Sequence, residues 1–118
     1  MTVPLSILVI EDEPLIAMML EDFVDLLGHE LAGTADSVEG ALARVGEGGF
    51  DAAILDVHLR DGACWPVADA LTAAGKPFVI ATGGHVQPPP AAHAGVRQLA
   101  KPFTMDGVRA ALEAVSAR

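Results

Sequence analysis

The chain has one cysteine, one tryptophan, no tyrosine and few cations, and each scarcity excludes something. With Cys64 as the sole cysteine no intramolecular disulfide can form, and no cysteine pair supports a structural zinc site. Aromatic residues make up 4% of a chain that is 52% hydrophobic, so its core must be aliphatic, built from Ala, Val, Leu and Ile. Seven Lys and Arg stand against 16 Asp and Glu, a formal net charge of −9. So few cations argue against binding nucleic acid, where affinity comes from Lys and Arg neutralising phosphates, and against an anionic membrane surface. No apolar run approaches the length of a membrane span. The first residues lack a basic region and soon meet Glu11-Asp12-Glu13, which speaks against a signal peptide. A cytoplasmic protein with protein partners is the expectation, and plain solubility is the simpler reading of the acidity. At 118 residues the length suits one domain with a serious core. The expectation is a single domain over residues 1–118 with no output domain.

What is present alternates between strand and helix signals, a pattern that favours a parallel sheet covered on both faces. Strands are expected at 6–10, 31–35, 52–55, 78–81 and 96–100. A first helix starts near Pro14, carries Ile16, Met19, Leu20, Phe23, Leu26 and Leu27 at helical spacing, and ends at Gly28. Asp36 and Glu39 read as a capping pair for a second helix bearing Val38, Ala41, Leu42 and Val45. Asp61-Gly62 turns the chain into a third helix from about Cys64 to Ala74, with Pro66 in its first turn. A last helix has Thr104 as N-cap and Val108, Ala111, Leu112 and Val115 as its buried stripe. Between the fourth and fifth strands the alternation fails. Gly83-Gly84 and Pro88-Pro89-Pro90 oppose a helix, leaving room for one short turn near residues 90–94.

Chemistry-bearing residues collect where the apolar runs end. Glu11-Asp12 follows the first, Asp56 the third, Thr82 the fourth and Lys101-Pro102 the fifth. In an open parallel sheet these points share the edge where ligands bind. A carboxylate cluster, a hydroxyl and an ammonium suit metal-assisted phosphoryl transfer to an aspartate. Both reactants are anionic, so a divalent cation must offset their repulsion while a lysine holds the remaining charge. Mg²⁺ accepts a few carboxylates plus waters. Asp12 and Asp56 are the expected direct ligands, Glu11 acts through water, and the backbone carbonyl of His58 completes the set. Asp56 is the phosphoacceptor, Lys101 pairs with its carboxylate and then with a phosphoryl oxygen, and Thr82 donates to another.

Each residue has a plainer account. Glu11-Asp12-Glu13 suits a helix start, where the dipole favours anions. Asp56 or Thr82 alone is a turn residue, and Lys101-Pro102 alone a strand exit; the set carries the argument. His29, His58, His85 and His93 match no tight zinc-ligand spacing. Cys64 and Trp65 read as packing under the third helix. Leu15, Ile16, Pro102 and Phe103 border the site, either exposed to dock a partner helix or packed in the core. A nucleotide- or flavin-binding protein of the same topology would need a phosphate loop after the first strand, where three carboxylates stand instead. A haloacid-dehalogenase-type phosphatase would need an Asp-x-Asp pattern there.

Glu11-Asp12, Asp56 within Asp51-Ala-Ala-Ile-Leu-Asp56, Ala81-Thr82-Gly83 and Lys101-Pro102-Phe103 together resemble the receiver domain of two-component response regulators, over nearly the whole chain. Pro66-Val-Ala-Asp-Ala-Leu71 and Lys76-Pro-Phe-Val-Ile-Ala-Thr-Gly83 resemble, more narrowly, alphaproteobacterial single-domain receivers with a Phe-Ala-Thr-Gly-type motif. The resemblance implies a flavodoxin-like doubly wound sheet of five strands in the order 2-1-3-4-5. It implies a signalling phosphoacceptor rather than an enzyme, loaded from a sensor histidine kinase or a histidine phosphotransfer protein. The outcome would be an unknown downstream protein bound, phosphate relayed or drained, and a monomer or a phosphorylation-dependent homodimer. It also implies a cis Lys101–Pro102 peptide. By the same resemblance His58 and Gly84 flank the phosphoryl site and tune hydrolysis. Two departures stand out: Gln98 occupies the position where the family usually has Tyr or Phe, and the helix after the fourth strand is short or absent. Both leave room for a phosphorylation-independent interaction module on the same fold.

Overall fold

The computed structural model describes residues 4–82, 90–93, 96–100 and 103–116. In chain order these form β1 (Ser6–Ile10), α1 (Pro14–Leu26), β2 (Glu30–Ala35), α2 (Val38–Glu47), β3 (Ala52–Asp56), β4 (His58–Leu59), β5 (Gly62–Ala63), α3 (Trp65–Ala73), β6 (Phe78–Thr82), a 3-10 turn (Ala91–His93), β7 (Arg97–Ala100) and α4 (Met105–Ser116). Five strands make one sheet in the order β2-β1-β3-β6-β7, every pair parallel. This is the flavodoxin-like order expected from the sequence. β4 and β5 form a small separate hairpin that hydrophobic periodicity did not signal.

Strand side chains alternate between faces, and the two cores divide accordingly. Ile7, Val9, Ala52, Ile54, Val79, Ala81 and Leu99 pack with Leu20 and Val24 of α1 and with Val108, Ala111, Leu112 and Val115 of α4. Leu8, Ile10, Ala53, Leu55, Phe78 and Ile80 point the other way, onto Ala41 and Val45 of α2 and Val67, Ala68 and Leu71 of α3. Because both faces are covered, β3 is buried from end to end, and its run Ala52-Ala-Ile-Leu is apolar without alternation.

From β1 the chain steps out to β2 past α1, then returns across the opposite face by α2 to β3. The reversal opens a crevice between the carboxyl ends of β1 and β3, the usual ligand position in such sheets. Strand register brings the candidate positions level. Ile10 pairs with Leu55, Asp56 with Ala81, Ala81 with Leu99 and Thr82 with Ala100.

Helix ends mostly follow local rules. Pro14 opens α1, Pro66 lies in the first turn of α3, and the Gly107 N–H donates to Thr104 Oγ1 at 3.0 Å. α2 departs from expectation. Its N-cap is Ser37, whose hydroxyl accepts from the Gly40 N–H at 3.0 Å, while the Asp36 carboxylate turns to Arg60 at 3.2 Å. Ser37, one residue on, takes the capping role expected of Asp36. On edge strand β2 the pairing with β1 slips between Ile7 and Leu8, leaving Ala32 as an extra residue. Arg44 of α2 lies across Gly33 and donates from Nη2 to the Ala32 carbonyl at 2.8 Å.

Of the connection between β6 and β7, the described part is the 3-10 turn, in keeping with the expected short turn near residues 90–94. Its His93 is buried between α3 and β6, 2.7 Å from Asp69 Oδ1, stacked on Trp65 and edge-on to Phe78. Gly83, Gly84 and His85 lie outside the described residues.

Candidate functional site

At the carboxyl ends of β1 and β3, Glu11, Asp12 and Asp56 each present a carboxylate oxygen within 4.8 Å of the others. Glu11 is 3% exposed and Asp56 7%, while Asp12 is half-exposed. Backbone ties set the cluster: the Glu11 N–H donates to the Ala35 carbonyl at 2.9 Å, and the Glu13 N–H donates back to Glu11 Oε1 at 3.3 Å. Three anionic groups this close repel one another strongly where water is partly excluded. The donor set is all oxygen, with one member open to solvent, which fits a hard divalent cation that keeps part of its water shell.

Other expected site residues are placed as follows. Thr82 is the last residue of β6, level with Ala100 at the end of β7. Lys101 and Pro102 lie outside the described residues, and with them the expected cis peptide. His58 opens the hairpin two residues after Asp56, its side chain exposed. Gln98 sits on β7 opposite Ile80 and is exposed. Leu15 is 79% exposed, whereas Phe103 is buried among the α1 and α4 side chains, so its plainer account holds.

Two neighbours of the site were not legible as such. Cys64, fully buried at the start of α3, has its thiol pushed up to about 12 by burial, with the negative charge of Asp56 adding to the effect. Asp61 at the turn of the hairpin accepts the Val38 and Glu39 N–H groups at the start of α2. Those hydrogen bonds, the one from Val38 foremost, hold its carboxyl below the ordinary carboxylate range. Asp61-Gly62 announces a turn in the sequence, and Gly62 takes φ +146°, but nothing local shows which helix the turn reaches. Among the described residues the histidines do not gather: His29 accepts the Leu5 N–H at 2.9 Å, and His93 is held by Asp69.

No family model matches the chain. Among solved structures it is similar to SdrG from Sphingomonas melonis Fr1, at 55% identity and a TM-score of 0.85 over 98% of both chains. A BeF3-activated conformation of SdrG matches at 56% identity and a TM-score of 0.81, over 94% of this chain and 95% of that one. The receiver domain of the response regulator PhyR from Erythrobacter litoralis matches at 30% identity and a TM-score of 0.76, over 95% and 89%. A curated relative, the phyllosphere-induced regulator PhyR of Methylorubrum extorquens, is 47% identical over 58 residues, which are 48% of this chain and 22% of that protein. The chain thus spans a minor part of that regulator's length. Sheet order, the acidic crevice and these likenesses agree, and the chain belongs to the receiver-domain family of response regulators.

Proposed function

We propose that this receiver takes a phosphoryl group on Asp56 from the phosphohistidine of a sensor kinase or phosphotransfer protein. The observation that carries the reading is the convergence of Glu11, Asp12 and Asp56 within 4.8 Å in the switch-point crevice. In the transfer, the donor's P–N bond breaks as a P–O bond forms on the Asp56 carboxylate. Asp12 and Asp56 would hold Mg²⁺ directly, with Glu11 acting through water and the His58 carbonyl completing the set. The ion, when bound, offsets the charge between nucleophile and phosphoryl oxygens. Lys101 would balance the charge of Asp56 and then of the phosphoryl group, and Thr82 would supply a hydroxyl donor. SdrG, the relative with a BeF3-activated conformation, supports the reading, because beryllofluoride matches a phosphoryl group in shape and charge.

Signalling then proceeds by binding a downstream protein, or by relaying or draining phosphate. Residues 1–118 would act as a single-domain regulator in the cytoplasm; among the described residues no helix is long and apolar enough to cross a membrane. The test is intact mass after incubation with acetyl phosphate and Mg²⁺, and with a histidine kinase. Wild type should gain one phosphoryl group and Asp56→Asn none. An unmodified wild type with both donors refutes the reading.

A further inference from the structure

The loop that leaves Asp56 has little of its own to hold it. Its hairpin pairs His58 with Ala63 and Leu59 with Gly62, and a ladder that short is unstable alone. The inner side is fixed by the burial of Val57 and Leu59 and by the Cys64 N–H, which donates to the Val57 carbonyl at 2.8 Å. The outer turn is fixed from α2 instead. The Val38 N–H donates to Asp61 Oδ1, and the Glu39 N–H to Oδ2 at 3.2 Å. The Arg60 N–H donates to the Asp36 carbonyl at 3.3 Å, and the Arg60 guanidinium lies 3.2 Å from Asp36 Oδ1. The local cap Ser37 satisfies the Gly40 N–H alone, leaving the Val38 and Glu39 N–H groups to Asp61. Asp61 brackets the two with one carboxylate, and the restraint falls on the loop.

Resting on the phosphorylation reading above, we propose that Asp61 is a positioning residue for the site. Its carboxylate pins the β3–α3 loop to the N-terminus of α2 and so fixes where the His58 carbonyl stands relative to Asp56. Mg²⁺ tolerates little departure from octahedral geometry, so a ligand on a loosened loop loses much of its value. Groups that orient a metal ligand without touching the metal typically matter tenfold or more in affinity. A carboxylate serves here better than an amide, because both of its oxygens accept while an Asn offers one acceptor.

The experiment titrates Mg²⁺ alone into ¹⁵N-labelled wild type, Asp61→Ala, Asp61→Asn and Ser37→Ala, following amide shifts around Asp56. Amide hydrogen exchange at residues 58–60 is measured on the metal-free proteins. Asp61→Ala should weaken Mg²⁺ binding roughly tenfold, with faster exchange in the loop, and Asp61→Asn should fall between. Ser37→Ala removes a cap of the same helix and should lower stability while leaving Mg²⁺ affinity and loop exchange unchanged. If Asp61→Ala does not fold, Asp61→Asn carries the comparison. Wild-type affinity in the Asp61 variants overturns the positioning role and leaves the phosphorylation reading standing. Absence of Mg²⁺ binding by wild type overturns both.

Discussion

Replacing Asp12 by Asn should stabilise the metal-free protein and abolish its stabilisation by Mg²⁺. Asp12 stands within 4.8 Å of both Glu11 and Asp56. Two unit charges at that separation repel by about 0.9 kcal/mol at the dielectric of water and about 3.5 kcal/mol at an effective value of 20. Asp12 is half-exposed, which pulls its share toward the lower figure. Two such repulsions then amount to about 2 kcal/mol, of which Asp12→Asn should recover about 1–2 kcal/mol. For a domain of this size each kcal/mol moves Tm by about 4 °C, so a rise of about 4–8 °C is expected in EDTA at pH 7. Mg²⁺ should act unequally on the two proteins. For a site half-saturated near about 1 mM, 10 mM Mg²⁺ adds about 1.4 kcal/mol, or about 6 °C, to wild type and little to the variant. Differential scanning calorimetry of both proteins in EDTA and in Mg²⁺ gives four transitions to compare. An Asp12→Asn protein no more stable than wild type in EDTA refutes the repulsion argument; equal gains in Mg²⁺ refute the ligand assignment.

Gly33→Ala should cost about 1 kcal/mol or more in urea denaturation, because an added Cβ would sit 1.9 Å from Arg44 Nη2 and push the guanidinium off the Ala32 carbonyl. In an Arg44→Ala background the same change should cost markedly less, and strict additivity would contradict the contact. Asp61, held below its ordinary carboxylate value of 3.8 by the Val38 N–H, contributes stability that is complete above that value and lost as pH falls through the lowered native one. Urea midpoints from pH 6 down to pH 2 should therefore fall less steeply for Asp61→Asn, and parallel curves would sink the assignment. Cys64, with its thiol near 12, carries about one thiolate in ten thousand at pH 8, so an aromatic disulfide reagent should label it only as the protein unfolds. Stoichiometric labelling of the native protein within minutes would show that its burial is wrong.

The fold was legible because its signals are local and repeated. Apolar runs of four or five residues, Pro14 and Pro66 at helix starts, and Thr104 before α4 each declare themselves within one turn of chain. The acidic cluster was legible too, since strand ends in a parallel sheet converge whatever the loops do. Illegible were contacts set by long separations. Asp36 reads as a capping residue until Arg60 is brought beside it, and Asp61 reads as a turn residue until α2 arrives to donate. Nothing local marks His93, in the short turn expected near residues 90–94, as a core residue, yet packing against Trp65 and Phe78 with Asp69 in reach buries it. The β4–β5 hairpin, two residues a side, is too short to leave a periodic trace.

Arg44 also bears on how copies of this chain meet at high concentration. A parallel sheet with two open sides offers β2 as a template for another strand, and a row of unpaired carbonyls there invites stacking. Here the extra residue Ala32 breaks the row, and the Arg44 guanidinium takes its carbonyl. Edge-to-edge pairing is thereby disfavoured at that point of β2 by a side chain from the protein's own second helix.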